Sequence, residues 1–240
     1  MTPGPASYRN YEHYIREGWA EQPKRTFVRL ADLLAAAQLP PSARLLDIGC
    51  ATGELIKYLQ ARFPGFSFTG VDVFEPLLAE ARQRVPEARF AASSALDLPV
   101  EMDSSFDAVT AVGVISLFDE VELPRFWQGL LRVIRPGGRI LALGPLNEYG
   151  VDCMIRHRKR IGGKLGEWET GWNIHSRETV GEILEGRCRA WRFHDFQIDL
   201  DLARRADPVR TWTMRTEANE RQLTNGLKLL LDLCFIEVER

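Results

Sequence analysis

Small and acidic residues at the end of one apolar run have the types and spacing to hold a small ligand. Asp47 lies in this run, which leads into Gly49, Ala51 and Gly53, each two residues after the last. A strand that enters a turn of small residues and then a helix lets the backbone approach a ligand closely. Many nucleotide-binding proteins use this arrangement, so the segment predicts a nucleotide-type site at the end of the first strand.

The charges around this turn distinguish between nucleotide ligands. A dinucleotide site follows the pattern G-x-G-x-x-G, but here Gly49 and Ala51 are followed by Glu54 in the third position. A pyrophosphate requires bare N–H groups and positive potential in the first helical turn, where Glu54 would lie. We expect no Lys or Arg to offset Asp47 and Glu54. The turn therefore predicts a ligand that lacks phosphates and carries positive charge.

The order of the elements predicts the fold that positions these residues. Predicted strands cover residues 43–49, 66–73, 88–93, 106–113, 139–144, 189–202 and 234–240, and predicted helices cover 23–39, 52–63, 76–85, 123–134 and 176–186. This alternation is typical of a doubly wound α/β fold with a mostly parallel, seven-stranded sheet. The final strand follows its predecessor without room for a long crossover, so we expect it to be antiparallel.

A polar and aromatic stretch after residue 144 interrupts the alternation. It contains the basic run Arg156–Arg160 and precedes a helix whose N-cap would be Ser176. We expect the basic run to form a solvated helix face, with binding of an acidic substrate as the alternative. Residues 204–231 read as a loop with at most one helical turn. We expect one domain over residues 1–240, with an N-terminal lid at 1–22 and a substrate-side insert at 145–175.

Four segments are similar, in the same order, to the class I S-adenosylmethionine-dependent methyltransferases. They are LLDIGCATGEL, FTGVDVFEPLL, DLPVEMDSSFDAVTAVGVI and LLRVIRPGGRILAL, and together they cover about residues 44–144. The resemblance is greatest to the subgroup that methylates small molecules, as in ubiquinone and menaquinone biosynthesis. It implies a Rossmann-like methyltransferase fold, S-adenosyl-L-methionine as cofactor and a small-molecule acceptor for O-, N- or C-methylation. Motifs for flipped bases are absent from the segment after the fourth strand.

The resemblance implies a set of cofactor-binding residues at the strand ends: Asp47, Gly49, Cys50, Ala51, Gly53, Asp72, Val73, Ser94, Ala95, Leu96, Ala111 and Tyr14. Asp47 would organise the ammonium group of the cofactor. Asp72 would accept hydrogen bonds from both ribose hydroxyls. Val73 and Leu96 would face the two sides of the adenine.

One position departs from the family pattern. Many members carry an acid after the third strand that binds the adenine amino group, and Ser94 occupies that place here. The Ser94 hydroxyl or the Ala95 amide would then bind the adenine. Asp97 is the nearest carboxylate, and we expect it to be a loop residue that faces water.

The acceptor side offers one candidate base and an aromatic N-terminus. His175 lies just before the predicted helix and would accept a proton near neutral pH, although an ordinary polar loop residue is the alternative. The aromatic residues ahead of the first helix are Tyr8, Tyr11, Tyr14 and Trp19. They would either close over the cofactor or pack as a terminal arm, and the sequence leaves both open.

Composition limits the remaining functions. The chain has 240 residues, a net charge of -2 and a pI of about 6.1, so no global basic field attracts nucleic acid or an anionic membrane. No apolar run approaches a membrane span, and four scattered cysteines predict free thiols in the cytoplasm and no metal site. The alternatives are a catalytically silent S-adenosylmethionine-binding partner or sensor and, less in keeping with Glu54, an NAD-dependent oxidoreductase. The oligomeric state stays open.

Overall fold

The computed structural model describes the strands and turns that carry most of the predicted site residues. It describes residues 14–15, 18–19, 21–158, 160–161, 163–196, 212–215, 221–224, 230–231 and 233–240. The predicted positions Tyr8 and Tyr11 lie outside these residues.

Helices and strands alternate through the first part of the chain, as the apolar periodicity predicts. The elements are α1 (Arg25–Ala36), β1 (Arg44–Ile48), α2 (Glu54–Arg62), β2 (Ser67–Asp72), α3 (Glu75–Arg84), β3 (Arg89–Ala92), β4 (Phe106–Val112), α4 (Glu122–Val133) and β5 (Ile134–Asn147). Short 3-10 helices at Val100–Met102 and Ile115–Leu117 flank β4.

The later part of the chain contains shorter strands. These are β6 (Arg156–His157), β7 (Arg160–Ile161), β8 (Lys164–Leu165), β9 (Glu169–Thr170) and β10 (His175–Ser176), followed by α5 (Arg177–Leu184), β11 (Ala190–Phe196), β12 (Trp212–Arg215), β13 (Arg221–Thr224), β14 (Leu230–Leu231) and β15 (Leu233–Glu239). Ser176 caps α5 as predicted, because its side chain accepts a hydrogen bond from the Thr179 N–H.

The central sheet has the strand order β11-β15-β5-β4-β1-β2-β3. Neighbouring strands from β5 to β3 are parallel, whereas β15 is antiparallel to both β5 and β11. This arrangement confirms the predicted fold class, including the antiparallel terminal strand. The chain runs outward in opposite directions from β1 and β4, so a crevice forms beyond the carboxyl ends of these two strands.

Helices cover both faces of the sheet because successive strand residues point to opposite sides. Leu46 and Ile48 of β1 belong to one buried cluster, which includes Phe126 and Trp127 of α4. Leu45 belongs to the other cluster, which includes apolar residues of α1 and α2. The carboxyl edge of the sheet is therefore held from both sides.

The fifth strand is longer than the sequence predicts. It begins at Ile134 and continues through the predicted Pro-Gly-Gly turn, with a register shift against β4 and a positive φ of 78° at Gly137. At its other end it reaches Asn147, because Pro145 pairs with Leu233 and Leu146 pairs with His175. Residues 145–147 of the expected insert therefore belong to this strand.

Two other local predictions are wrong. The basic run is not a helix face, since Arg156–His157 pairs with Glu169–Thr170 in an antiparallel hairpin. Part of the predicted loop over residues 204–231 forms a small antiparallel sheet of β12, β13 and β14. Threonine and aromatic residues favour strands, and a short connection lets two strands pair without a helix.

Candidate active site

Asp47 is a buried carboxylate near the end of β1. It is 2% exposed and lies opposite Gly70 of β2 and Thr110 of β4. The Thr110 hydroxyl donates a hydrogen bond to Asp47 Oδ1 at 2.8 Å. Burial raises the pKa of Asp47 to about 7, the Thr110 hydroxyl opposes this rise, and the charge of Asp72 adds to it. The carboxylate is thus poised to ionise near neutral pH.

The turn after β1 is fixed against the end of β2. The N–H groups of Gly49 and Cys50 both donate to the Val71 carbonyl, at 2.8 and 3.1 Å. The Ala51 N–H donates to Asp72 Oδ2 at 3.0 Å, and Ala51 itself has a positive φ of 46°. The small residues therefore allow a tight turn in which the backbone, not side chains, lines the approach to Asp47.

Asp72 joins two turns through its carboxylate. It is 8% exposed and also accepts a hydrogen bond from the Phe74 N–H at 3.0 Å. Burial raises its pKa, and the amides of Phe74, Ala51 and Val73 oppose that rise. Each carboxylate oxygen keeps a further lone pair for a hydroxyl donor. Val73, the next residue, is 44% exposed although it is apolar.

The turns after β1 and β4 approach each other closely. A Cβ on Gly49 would lie 2.7 Å from Val114 Cγ2, and the φ of Gly49 is 71°. The Cys50 thiol points toward the sheet, since a Cβ on Gly70 would lie 2.7 Å from its sulfur. Burial raises the pKa of Cys50 far above the physiological range, so the thiol is protonated and unreactive. Of Cys50, only the backbone borders the turn.

Polar groups of the loop after β3 form hydrogen bonds within the loop. The Ser94 hydroxyl accepts a hydrogen bond from the Leu96 N–H at 3.2 Å, and the backbones of Ser94 and Asp97 pair in an antiparallel β-bridge. Asp97 is exposed, as expected for a loop residue that faces water. Ala95 and Leu96 are partly buried against the core.

Two predicted residues lie in unexpected surroundings. Glu54 forms an ion pair with Lys24, so the expectation that no cation offsets Glu54 is wrong. Lys24 precedes the site by thirty residues, and only the packing of α1 brings it there. Ala111 pairs with Ile48 and Ala142 in the middle of the sheet and is fully buried in the core. Its cofactor contact stays a prediction.

The described part of the N-terminal segment packs against the turn after β1. The Trp19 indole N–H donates to the Thr52 hydroxyl at 2.9 Å, and the Arg84 guanidinium lies 4.8 Å from the centroid of the Trp19 ring. Thr52 is 5% exposed. Tyr14 is partly buried. Trp19 therefore anchors this segment beside the crevice.

His175 is fully buried beside the end of β5. It pairs with Leu146 in the sheet, and neither ring nitrogen has a hydrogen-bond partner among the residues that the structure describes. Burial lowers the pKa of His175; Asp152 and the carbonyls of Phe118 and Ile115 oppose this shift. Burial therefore favours the neutral form of the imidazole. His175 is not the exposed polar loop residue of the alternative interpretation.

Asn173, one of the polar residues that the expected insert offers, ties the insert to the loop after β4. Its N–H donates to the Ser116 carbonyl at 2.9 Å, and its Nδ2 donates to the Phe118 carbonyl at 2.8 Å. Its Oδ1 accepts from the Ile155 N–H at 2.9 Å, and Asn173 is fully buried. The preceding Trp172 has a φ of 63°, an unusual conformation for a bulky residue.

The hairpin of the insert contains a bulge at this point. The Gly171 N–H donates to the Ile155 carbonyl, and the backbones of Cys153 and Ile174 pair in an antiparallel β-bridge. Trp172 and the next residue therefore face a single residue on the opposite strand, which defines a β-bulge. The bulge directs Trp172 to solvent while its neighbour stays buried.

Other polar residues at this edge were missed. Thr110 is a polar residue in the apolar stretch Ala108–Val112 of β4, and that contrast was an available signal. Asp152 accepts hydrogen bonds from the Ser176 N–H at 2.6 Å and the Thr179 hydroxyl at 2.5 Å, so it fixes the start of α5. Within the described residues, no group of three or more His, Cys, Asp or Glu has a metal-binding arrangement.

Known proteins are similar to this chain in sequence over part of its length and in fold. Residues 45–138 match the family model described as a methyltransferase domain. The chain is similar to the trans-aconitate 2-methyltransferase of Variovorax paradoxus, with 35% identity over 142 residues that cover 58% of this chain and 48% of the relative. It is 38% identical over 104 residues to the demethylmenaquinone methyltransferase of Thermus thermophilus, covering 42% of this chain and 46% of the relative. The chain thus spans about half the length of these relatives.

A solved structure extends the comparison to three dimensions. The chain is similar to CalS10, an amino pentose methyltransferase from Micromonospora echinaspora solved with S-adenosylmethionine bound. The TM-score is 0.56 at 19% identity, and the alignment covers 96% of each chain. This likeness supports the fold, and the family match confirms the resemblance predicted for residues 44–144.

Proposed function

We propose that this chain, whose residues 45–138 belong to the methyltransferase domain family, binds S-adenosylmethionine and methylates a small-molecule acceptor. One observation carries the proposal. Asp47 and Asp72 are buried carboxylates at the ends of neighbouring strands, and within the described chain neither forms an ion pair. Such a crevice favours a cationic nucleoside over a diphosphate, because buried negative charge stabilises a cation and repels an anion.

Each carboxylate suits a different part of the cofactor. Asp47 would hold the ammonium group, since its raised pKa reflects a charge that lacks a partner. Asp72 would accept from the ribose hydroxyls through the lone pairs that the amides of Ala51 and Phe74 leave free. Gly49 and Ala51 would let the backbone pass beside the methionine portion.

The adenine would lie between the turn after β2 and the loop after β3. Val73 is exposed on one side, and Leu96 is partly buried on the other. The Ser94 hydroxyl already accepts a bond from the Leu96 amide, so it has one donor hydrogen to offer an adenine nitrogen. The Ala95 amide remains the second candidate for this contact.

The N-terminal segment and the insert would complete the site from above. Trp19 holds the segment at Thr52, beside the turn that contains Gly53, so residues 1–22 would serve as a lid. The insert between Asn147 and His175 would form the acceptor wall. On this basis residues 1–240 would form one domain. We place the protein in the cytoplasm, because free cysteines stay reduced there.

Bound S-adenosylmethionine supplies a methyl group that its sulfonium has already activated. The protein's task is to align the acceptor and exclude water. His175 would take the acceptor proton, because its lowered pKa favours the neutral imidazole and neither ring nitrogen accepts a hydrogen bond from a described residue. Its burial means that an acceptor must open the contact between the insert and the loop at Ile115–Leu117 to reach it.

The acceptor class follows from the relatives that the chain resembles. Their names specify trans-aconitate and demethylmenaquinone, both of them small molecules. These names support a small-molecule acceptor for this chain without selecting one.

Thermal shift with two ligands tests the cofactor. S-adenosylhomocysteine should raise the melting temperature and NADH should leave it unchanged, because only ligands that bind the native state stabilise it. A rise in melting temperature with NADH alone would contradict this proposal and indicate a dehydrogenase.

Methyl-labelled S-adenosylmethionine and a small-molecule extract test transfer. Label should enter an extract component, and His175→Gln should slow its entry while the dissociation constant for S-adenosylhomocysteine stays within about twofold. The acid limb of the wild-type pH profile should disappear in this variant. Cofactor binding without transfer to any component would indicate a silent binding protein.

A further inference from the structure

The hairpin of the insert has two chemically different faces. Its register is set by the pairs Arg156–Thr170 and His157–Glu169, so side chains alternate between the faces along each strand. The exposed residues on the outward side are Met154, Arg156, Arg158, Trp168 and Trp172. We call these five residues the outer face.

Two guanidinium groups lie over one indole in the outer face. Arg158 is 4.8 Å and Arg156 is 5.8 Å from the centroid of the Trp168 ring. Neither arginine forms an ion pair with a residue that the structure describes. Both positive charges are therefore available to an external partner.

The same face exposes apolar side chains. Trp168 is 49% exposed, Trp172 is 40% exposed and Met154 is 38% exposed. Trp172 reaches this face only because the bulge places it there with a positive φ. Backbone strain that points a large apolar group to water indicates a surface with a partner.

Residues next to the outer face repeat the same composition. Six of the eleven exposed large hydrophobic residues in the described chain lie between residues 149 and 172, and those beyond the outer face are Tyr149, Val151 and Leu165. Arg160 and Lys164 at the second turn are exposed and also lack ion pairs in the described chain. The apolar exposure and the unpaired cations thus belong to one segment.

The acidic residues of the hairpin do not cancel this charge. Glu169 faces the partly buried His157 at 3.6 Å, on the opposite side from the outer face. Glu167, the residue before Trp168, is exposed and forms no ion pair with a residue that the structure describes. The net charge of -2 for the whole chain therefore hides a local cationic surface.

We propose that the outer face docks on the surface of a lipid bilayer that contains anionic lipids. Tryptophan is favoured at the boundary between headgroups and acyl chains, and arginine can bury its stem there while its charge meets a phosphate. Cations at such a surface gain from the negative potential of anionic lipids. The contact is peripheral: no helix in the described part of the chain is long and apolar enough to cross a membrane.

The arrangement of charge in the outer face suits the surface of a bilayer. Arginine, tryptophan and methionine are also enriched in protein interfaces, so binding to vesicles and not to polyglutamate is the result that separates the two partners. In the outer face the guanidiniums of Arg156 and Arg158 lie on the Trp168 ring itself. Mixed aromatic and cationic groups at one depth match the headgroup layer of a membrane.

Co-sedimentation of the full chain with vesicles tests the proposal. The chain should bind vesicles of phosphatidylcholine mixed with phosphatidylglycerol and not vesicles of phosphatidylcholine alone. Arg156→Gln/Arg158→Gln should lower the partition coefficient by roughly 30-fold, from about fivefold per cation near an anionic surface. Trp168→Ser should lower it on the order of tenfold by removing buried apolar area.

Matched surface variants control for general effects. Arg187→Gln/Arg192→Gln removes two exposed arginines without ion pairs in the described chain, and Trp191→Ser removes an exposed tryptophan outside the insert. These variants should bind vesicles as the wild type does. Equal losses in test and control variants, or absence of wild-type binding, would overturn the proposal.

Two further measurements keep the result separate from the proposed reaction. Stabilisation of every variant by S-adenosylhomocysteine reports folding and the cofactor site, which the outer face does not touch. Vesicle binding needs no cofactor, so it can fail while methyl transfer stands, and the reverse also holds. Binding to polyglutamate in solution without binding to vesicles would assign the surface to an acidic protein and contradict the proposal.

Discussion

With the ammonium group of the cofactor at Asp47, as proposed, the raised pKa of this carboxyl group should make cofactor affinity depend on pH. Burial lifts this pKa to about 7 in the free protein, against 3.8 for an ordinary Asp. An ammonium group can pair only with the ionised carboxylate, so binding below pH 7 must release a proton. For a group of this pKa that is fully ionised in the complex, the dissociation constant at pH 6 should be about ten times that at pH 8.

Isothermal titration with S-adenosylhomocysteine measures this coupling. Titrations at pH 6 in buffers of different ionisation enthalpy should show release of nearly one proton per ligand, and at pH 8 release of almost none. Asp47→Asn is the matched variant, because its amide oxygen can still accept from Thr110. It should bind weakly at both values, and its residual pH dependence reports the amino group of the ligand itself. Equal pH dependence in both proteins would refute the reasoning.

The same shift predicts how stability changes with pH. A carboxyl group whose folded pKa lies above its unfolded value stabilises the fold fully below the unfolded value. This contribution from Asp47, on the order of 4 kcal/mol, should disappear as the pH rises from about 4 through 7. Urea denaturation of the wild type and Asp47→Asn across this window measures the difference. A difference in free energy of unfolding that is constant with pH contradicts the assigned pKa.

Three further substitutions test the geometry. Asp72→Ala should weaken binding of S-adenosylhomocysteine by roughly 10- to 100-fold through loss of two charge-assisted hydrogen bonds. An unchanged dissociation constant would show that the ribose does not bind at Asp72. In urea denaturation, Gly49→Ala should lower the free energy of unfolding more than Gly113→Ala does. Both glycines have a positive φ, but only a Cβ at position 49 would clash with Val114; equal losses of stability would show that there is no clash. The free energy of unfolding of Trp172→Gly should be about 1 kcal/mol higher than that of Trp172→Ala, because alanine is strained at a positive φ and glycine is not. The reverse order would show that the backbone at residue 172 is not strained.

Local patterns in the sequence were sufficient to predict the turn after β1. The apolar run, the glycine spacing and the acid at the end of β2 lie within one βαβ unit, whose crossover geometry is nearly invariant. The positions of Asp47, Gly49 and Asp72 beside one another follow from that unit alone. The alternation of strands and helices up to residue 147 is predictable for the same reason.

Contacts between distant segments were not predictable. The hydrogen bond from Thr110 to Asp47 depends on the register of β4 against β1, which the sequence does not display. The ion pair of Lys24 with Glu54 depends on how α1 packs, and it removes part of the electrostatic reasoning against a diphosphate. Asp47 and Asp72 are buried without an ion pair among the described residues, and their charge still disfavours a diphosphate.

Buried polar groups identify the functional edge of the sheet without reference to a motif. Eight of the nine buried polar or charged residues in the described chain lie at the carboxyl edge: Asp47, Thr52, Asp72, Thr110, Ser116, Asn173, His175 and Ser176. The ninth, Asp107, lies at the opposite edge, where it forms an ion pair with Arg135 and accepts a hydrogen bond from the Arg44 N–H. Burial of polar groups destabilises a fold unless each finds a partner. At the carboxyl edge, Asp47 has no cation among the described residues and the His175 ring no hydrogen bond, so a bound ligand has interactions left to make there.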